Sequence, residues 1–221
     1  MLRALWSALL DIVYPPKCPV CRRPVAAHGA WCDVCLAGIL AVRYLNPAGH
    51  HFKALDECLV ICEYTGGVKR LLHDMKYRQA ERYAVHLQWL LAEGRAEGIL
   101  ESCDLIIPVP LSAGRLQERG YNQTERIFKD WCEKNAAGKW RGDVLVRRRE
   151  TLPQWELDLA RRRKNIKGAF AVTRPEVIRG KHIVLADDIV TSGLTMEACA
   201  QALKKSGAAK ITGLALSGGG Q

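Results

Sequence analysis

Hydrophobic runs of strand length alternate along the chain with stretches whose apolar residues recur at helical spacing. The runs at 58–64, 104–110, 144–146, 183–186 and 210–216 each predict a buried strand. Helical spacing follows Gly66-Gly67 and recurs over 83–91 and 196–203. Strands that alternate with helices are typical of a parallel sheet with right-handed crossovers. We therefore predict an α/β fold with an open parallel sheet of about five strands and flanking helices.

One predicted strand ends in two adjacent carboxylates, Asp187 and Asp188, before a turn over 191–195 and a helix. Ligands of open α/β sheets bind at the carboxyl ends of the strands, and a turn at a helix start offers amide donors to phosphate. Paired carboxylates suit ribose hydroxyls, directly or through Mg²⁺. The pattern predicts a sugar phosphate ligand. The alternative is a structural turn in which Thr195 only caps the helix.

A second candidate corner, Pro108-Val109-Pro110-Leu111, ends another predicted strand at the same edge. Proline has no amide hydrogen, so only Val109 and the residues from Leu111 onward can donate to a ligand there. Arg115 and Arg119 follow and could supply positive charge for a diphosphate. A solvated basic helix face is the alternative.

Nine cysteines, an odd number, argue against a disulfide framework and favour a reducing compartment. Four form two Cys-x-x-Cys pairs, which predict a tetrahedral, structural Zn²⁺ site; an iron–sulfur or redox site is the alternative. The predicted ligands are Cys18, Cys21, Cys32 and Cys35. We predict two parts: residues 1–45, an amphipathic helix over 2–13 followed by a zinc ribbon, and residues 52–221, which hold the sheet.

The charge of the chain, +10 for 221 residues, favours anionic partners. No apolar run is long enough to span a membrane. Residues 147–172 carry many charges and few apolar residues, and they predict a flap over the site. Such a segment could be a lid, a contact for single-stranded nucleic acid or a solvated loop.

The segment 183–195 resembles the phosphoribosyl pyrophosphate signature of type I phosphoribosyltransferases. The resemblance implies that Asp187 and Asp188 are the catalytic pair at the ribose hydroxyls. It also implies a Mg²⁺ ion bound with the substrate. It assigns the 5′-phosphate to Thr191, Ser192, Gly193, Leu194 and Thr195. It places Lys76, Val109, Arg115 and Arg119 on the pyrophosphate side.

Taken in order, several segments resemble ComF-type proteins. They are the knuckles after Pro15-Pro16, Lys76-Tyr77, Ile107 to Pro110, Arg119 to Gln123, Gln154 to Phe170 and the Asp187-Asp188 signature. The resemblance implies a bacterial, cytoplasmic protein that handles incoming single-stranded DNA during competence. Many relatives carry a second cysteine pair, but residues 36–57 have none. We therefore expect one zinc site.

Three functions fit these observations. The chain could be an enzyme that transfers a phosphoribosyl group to an acceptor the sequence does not reveal. It could be a non-catalytic module that senses phosphoribosyl pyrophosphate or phosphate and binds single-stranded DNA. It could also be an adaptor whose ribbon docks a helicase or recombination mediator. Pyrophosphate release, salt-dependent DNA binding and loss of partner capture on deletion of residues 1–45 would separate them.

Overall fold

The computed structural model describes residues 14–50, 52–150, 161 and 165–219. The amphipathic helix expected over 2–13 and the middle of the expected flap lie outside these ranges. In chain order the elements are α1 (Asp33–Ala37), β1 (Leu40–Tyr44), β2 (Glu57–Glu63), α2 (Gly66–Tyr77), a 3₁₀ turn (Glu81–Tyr83), α3 (Ala84–Glu93), α4 (Gly98–Glu101), β3 (Leu105–Pro108), α5 (Ala113–Arg119), α6 (Gln123–Asn135), β4 (Leu145–Arg147), β5 (Phe170–Val172), α7 (Pro175–Ile178), β6 (His182–Val190), α8 (Leu194–Lys205) and β7 (Lys210–Gly218).

The predicted α/β class is confirmed. The main sheet has five strands in the order β1-β2-β7-β6-β3, and all neighbouring pairs except β1–β2 are parallel. Its membership differs from the prediction in two ways. The antiparallel edge strand β1 lies inside the predicted ribbon part, where its half-exposed residues give no continuous apolar run. The predicted strand at 144–146 forms β4, which pairs with β5 in a separate antiparallel sheet and joins the two ends of the expected flap.

Both faces of the main sheet are covered, which is why its central strands read as continuous apolar runs. In β6, Val184 and Ala186 face a core that contains the apolar sides of α2, α3 and α6. Ile183 and Leu185 face the opposite core, formed with α8 and with β4 and β5. The two faces are therefore buried by different layers, and the carboxyl edge between them stays open for a ligand.

The cysteine-rich segment packs directly on the helical layer. Trp31 is buried and donates its Nε1 hydrogen to the backbone oxygen of His86 at 2.8 Å. A Cβ at Gly67, at the start of α2, would overlap Val20 Cγ2, so the segment approaches the helix too closely for any side chain there. One end of α2 thus contacts the ribbon. Its other end, nine residues on at Lys76, reaches the carboxyl edge of the sheet.

The strand register places the acidic pair beyond the end of the neighbouring strand β3. The β3–β6 pairing ends where Pro108 meets Ala186, so Asp187 and Asp188 lie just beyond the last paired residue of β3. On the other side, β7 continues alongside β6 as far as the Val190–Gly218 pair. The two carboxylates therefore sit where β6 runs past a shorter neighbour, which leaves space above β3 for a ligand.

Candidate ligand site at the carboxyl edge of the sheet

A cavity of about 470 Å³ opens at this edge. The structure brings nearly all of the predicted ligand-site residues to its walls. Those that line it are Lys76, Val109, Arg115, Arg119, Asp187, Asp188, Thr191, Gly193, Leu194 and Thr195. Ser192 is not among the lining residues. The cavity is also lined by residues that were not predicted as ligand-site residues, among them Tyr77, Gln123 and Arg147.

A partly buried lysine forms an ion pair with one of the two carboxylates. Lys76 Nζ lies 2.6 Å from Asp188 Oδ2, and the two side chains are only 16% and 6% exposed. The backbone amide of Asp188 donates to Asp187 Oδ1 at 2.9 Å, and Ser217 Oγ donates to the backbone oxygen of Asp188 at 3.0 Å. The last residue but one of α2 therefore fixes the carboxylate that the resemblance assigns to ribose.

The pKa values of the two carboxyl groups are shifted in opposite directions. Burial and the charge of Asp188 raise the pKa of Asp187 well above its ordinary value. Burial acts on Asp188 in the same direction, but the Lys76 ammonium outweighs it and lowers the pKa of Asp188 below its ordinary value. Of the two carboxyl groups, Asp188 is therefore the one whose ionised form the Lys76 ammonium stabilises.

The turn after β6 has the geometry of an anion cradle. Gly193 caps α8 with a φ of 71°, in the left-handed region, and a Cβ there would overlap Phe52 Cε1. Among the described residues, the amides of Ser192, Gly193 and Leu194 donate to no acceptor. Because these donors stand at the N-terminus of a twelve-residue helix, they favour a negatively charged ligand. The N-cap is thus Gly193, not Thr195.

Glu197, which the sequence did not mark as a functional residue, stabilises the start of α8 by hydrogen bonds. Its carboxylate is buried and accepts hydrogen bonds from the amides of Ala54 and Leu55, both at 3.1 Å, and from Gln201 Nε2 at 2.9 Å. These bonds tie the segment that leads into β2 to the first turns of α8. The signal was present, because Glu197 lies on the apolar face of the predicted helix, beside Met196 and Ala200.

The diphosphate side needs one correction. The Val109 amide, which we expected to donate to a ligand, donates to the backbone oxygen of Ala186 at 2.8 Å and so continues the sheet. Arg119 lines the cavity although the residue is only 8% exposed, and its buried Nε has no hydrogen-bond partner among the described residues. Its Nη1 donates to Gln123 Oε1 at 3.0 Å, and its guanidinium lies 5.7 Å from the centre of the Tyr77 ring.

The motif from Arg119 to Gln123 joins the walls of this cavity. Tyr121 donates its hydroxyl hydrogen to the backbone oxygen of Met75 at 2.5 Å, next to Lys76. Asn122 caps α6 by accepting from the Thr124 amide, and its Nδ2 donates to the backbone oxygen of Val109. The motif therefore connects α2, the corner after β3 and the guanidinium of Arg119.

The four predicted zinc ligands converge. The Sγ atoms of Cys18, Cys21, Cys32 and Cys35 all lie within 4.8 Å of one another. Burial raises the pKa of Cys18, but hydrogen bonds from backbone amides, Cys32 first, outweigh it and bring the pKa to about 6. A cluster of four thiols with a stabilised thiolate fits a tetrahedral, structural Zn²⁺. In the part of the chain that the structure describes, it is the only such cluster.

Comparisons with known proteins agree with both parts of this description. A double zinc ribbon domain model matches residues 9–45, and a phosphoribosyl transferase domain model matches residues 145–217. The chain is 30% identical over 220 residues to the DNA utilization protein YhgH of Salmonella typhi, covering 90% of this chain and 96% of the relative. The chain therefore belongs to the family of this DNA utilization protein YhgH.

Other relatives broaden the family. The YhgH protein of Escherichia coli O157:H7 is 30% identical over 223 residues, with 90% of this chain and 96% of the relative covered. Competence protein F of Haemophilus influenzae is 26% identical over 216 residues, with 91% of this chain and 90% of the relative covered. The expected resemblance to ComF-type proteins is confirmed. Although the ribbon model is a double one, residues 9–45 contain four cysteines, enough for one tetrahedral zinc.

No helix within the described ranges has the length and apolar character needed to cross a membrane.

Proposed function

We propose that this chain binds phosphoribosyl pyrophosphate at the carboxyl edge of its sheet and transfers the phosphoribosyl group to an acceptor. One observation carries the proposal: the Lys76–Asp188 pair and four residues of the anion cradle line the same cavity. The four are Thr191, Gly193, Leu194 and Thr195. The match of residues 145–217 to a phosphoribosyl transferase domain supports it, because that segment contains Asp188 and the turn at 191–195.

Each feature has a task in this reaction. Asp188, held by Lys76, accepts hydrogen bonds from the ribose hydroxyls, and Asp187 orients the ring beside it. The amides of Ser192 to Leu194 and the hydroxyls of the turn bind the 5′-phosphate, while Arg115 and Arg119 face the diphosphate. A nitrogen of the acceptor attacks C1, and the C1–O bond breaks with its electron pair going to pyrophosphate. Fixed donors stabilise the charge that develops on the leaving group.

The donor set also fits Mg²⁺, which prefers carboxylate oxygens. Asp187 and Asp188 are the residues that would face the ion, directly or through water. A divalent cation beside Asp187 would favour its ionised form, which opposes the effect of burial on its pKa. When bound, the ion neutralises part of the charge of the departing pyrophosphate.

The names of the relatives supply the cellular context of the proposal. They refer to DNA utilization and to competence, and this chain carries a net charge of +10. We infer a cytoplasmic role in the use of DNA taken up by the cell. Contacts with single-stranded DNA, or with a helicase or recombination mediator, belong to the same inference.

Isothermal titration calorimetry with phosphoribosyl pyrophosphate, with and without Mg²⁺, tests the binding step. We expect Asp188→Asn to weaken binding at least tenfold, and the exposed matched control Asp130→Asn to leave it unchanged. Equal affinity in Asp188→Asn and the unsubstituted protein would contradict the assignment. Pyrophosphate release in the presence of nucleobases then separates an enzyme from a sensing module, which would bind the ligand without turnover.

A further inference from the structure

A second cavity of about 580 Å³ adjoins the candidate ligand site at the carboxyl edge of the sheet. The two cavities share Val190, the last residue of β6, and Thr191, the first residue of the turn that we assign to the 5′-phosphate. Neither Asp187 nor Asp188 lines the second cavity. It therefore lies on the phosphate side of the first cavity, away from the acidic pair. Its volume is within the range of small-molecule sites, about 300–1,000 Å³.

Strand ends form the partition between the two cavities. β6 and β7 are still paired at Val190 and Gly218, and the Gly219 amide donates to the backbone oxygen of Val190 at 3.3 Å. Thr191 follows directly and is exposed. A group joined to a phosphate at this turn therefore reaches the second cavity by passing Thr191, and no paired strand has to separate.

Two glycines line the second cavity where β7 ends. A Cβ at Gly218 would lie 2.9 Å from Val60 Cγ1 and 3.5 Å from Arg43 Nη2, and a Cβ at Gly219 would lie 2.9 Å from Tyr64 Cβ. The chain therefore presents bare backbone to the cavity, and a flat group can lie against it.

An ion pair lines the second cavity. Arg43 Nη1 lies 2.7 Å from Glu63 Oε1, and Arg43 Nη2 donates to Glu63 Oε2 at 3.3 Å. The side chains are 37% and 41% exposed, so a ligand can still reach both. A second phosphate would meet the Glu63 carboxylate, whereas a neutral group with a donor and an acceptor along one edge binds both members of the pair. The pair therefore favours a neutral group beyond the 5′-phosphate.

Two aromatic rings also line the second cavity, those of Tyr44 and His50. Tyr44 is 59% exposed, and His50 stacks on Phe52 with ring centres 5.3 Å apart and an interplanar angle of 22°. Phe52 in turn packs against Gly193 of the anion cradle. Aromatic rings favour planar ligands, so the neutral group is also expected to be flat.

We propose that the second cavity holds a nucleoside joined by an ester bond to the 5′-phosphate, so that the two cavities together bind a ribose 5′-phosphodiester. This rests on the proposed function, which assigns the turn at 191–195 to the 5′-phosphate. The ribose occupies the first cavity, the phosphodiester lies on the anion cradle, and the nucleoside lies beyond Thr191. Arg43 and Glu63 bind the hydrogen-bonding edge of its base, and the aromatic rings contact its face.

Calorimetry on the full-length protein with three matched ligands tests the proposal. They are ribose 5-phosphate, its methyl ester, and its ester with the 3′-hydroxyl of adenosine. A phosphate monoester carries a charge of about −1.5 to −2 at pH 7, whereas both esters carry a single negative charge. The gain in affinity from the methyl ester to the adenosine ester therefore measures the nucleoside alone.

The variants are Arg43→Met and Glu63→Gln. The matched control is Glu81→Gln, because Glu81 forms a comparably exposed pair with Arg126 at 2.8 Å, and neither residue lines either cavity. Exposed ion pairs contribute little to stability, so all three variants should fold.

We expect the adenosine ester to bind at least tenfold more tightly than the methyl ester. Arg43→Met and Glu63→Gln should each remove most of that gain, Glu81→Gln should keep it, and the affinity for ribose 5-phosphate should stay within twofold in all three. The proposal is overturned if ribose 5-phosphate binds but the adenosine ester binds no more tightly than the methyl ester, or if the gain survives both substitutions. Failure of ribose 5-phosphate itself to bind would contradict the proposed function instead, and this result is seen before either ester is added.

A longer ligand distinguishes the source of the phosphodiester. In it, four further nucleotides precede the adenosine. Affinity equal to that of the adenosine ester supports the proposal with the end of a nucleic-acid strand as the ligand, and affinity at least tenfold lower supports it with a free dinucleotide.

Discussion

Removing the lysine at the acidic pair is the sharpest test of how this site is built. Lys76→Met keeps the length of the side chain but removes the ammonium that lies 2.6 Å from Asp188 Oδ2. The carboxylate left behind is 6% exposed and sits beside a second carboxyl group. Breaking a buried ion pair by removing one partner costs about 3–5 kcal/mol of folding free energy.

Protonation of Asp188 limits that cost and gives it a pH dependence. In the unsubstituted protein the pKa of Asp188 lies below 3.8, so its stabilising contribution is present above pH 3.8 and is lost as the pH falls through the lowered value. Without Lys76, the ammonium no longer offsets burial, which raises the pKa of Asp188. The variant then loses stability as the pH rises above 3.8, so its deficit should grow between pH 4.5 and pH 7.

Urea unfolding followed by tryptophan fluorescence measures both effects. At pH 7 we expect Lys76→Met to lose about 3 kcal/mol or more, and Lys76→Met/Asp188→Asn to regain much of it, with a coupling energy of at least about 2 kcal/mol. The restored double variant should still fail to bind phosphoribosyl pyrophosphate. A loss below about 0.5 kcal/mol that does not change with pH would refute the reasoning.

Three further predictions concern other contacts. Gly193→Ala puts a Cβ on a residue with left-handed backbone and makes it overlap Phe52. The free energy of unfolding of this variant in urea should be lower by about 2–4 kcal/mol. In a Phe52→Ala background the overlap is gone, and only the cost of the left-handed backbone, about 1–2 kcal/mol, should remain. Glu197→Ala leaves the buried amide of Leu55 without its acceptor and should cost about 1–3 kcal/mol in the same assay, whereas an unchanged midpoint would contradict the bracing role. Metal analysis should find one zinc per chain, and a chelator should lower the melting temperature; two zinc ions per chain would contradict a single site.

The parts of the fold and site that could be predicted from sequence are those encoded by neighbouring residues. The strand into Asp187, the turn at 191–195 and the following helix form one continuous segment, so periodicity and turn chemistry indicate all three. The cysteine spacing likewise predicts the cluster that the structure contains. Lys76 was assigned by resemblance alone, because its partner Asp188 lies 112 positions away and no local pattern joins them.

The parts that could not be predicted depend on pairing between distant segments. A proline-flanked amide at Val109 looks available in sequence, but the register of β3 against β6 uses it in the sheet. The strand β1 has one neighbour and a mixed pattern, so only its pairing with β2 reveals it. The run at 144–146 has the composition of a core strand, yet its partner, β5, lies on the far side of the flap segment.

The packing of the ribbon against the helical layer limits what a deletion experiment can show about this protein. A deletion of residues 1–45 would remove the edge strand β1 and uncover β2, and it would strip Trp31 from the core and Val20 from the first turn of α2. Because the same helix carries Lys76 at its other end, disruption at its start would also disturb the candidate ligand site. Loss of a binding partner by such a truncation would therefore not identify the ribbon as the docking element. Point substitutions on the exposed face of the ribbon, such as Val34→Asp, leave the rest of the fold intact and test directly whether the ribbon binds the partner.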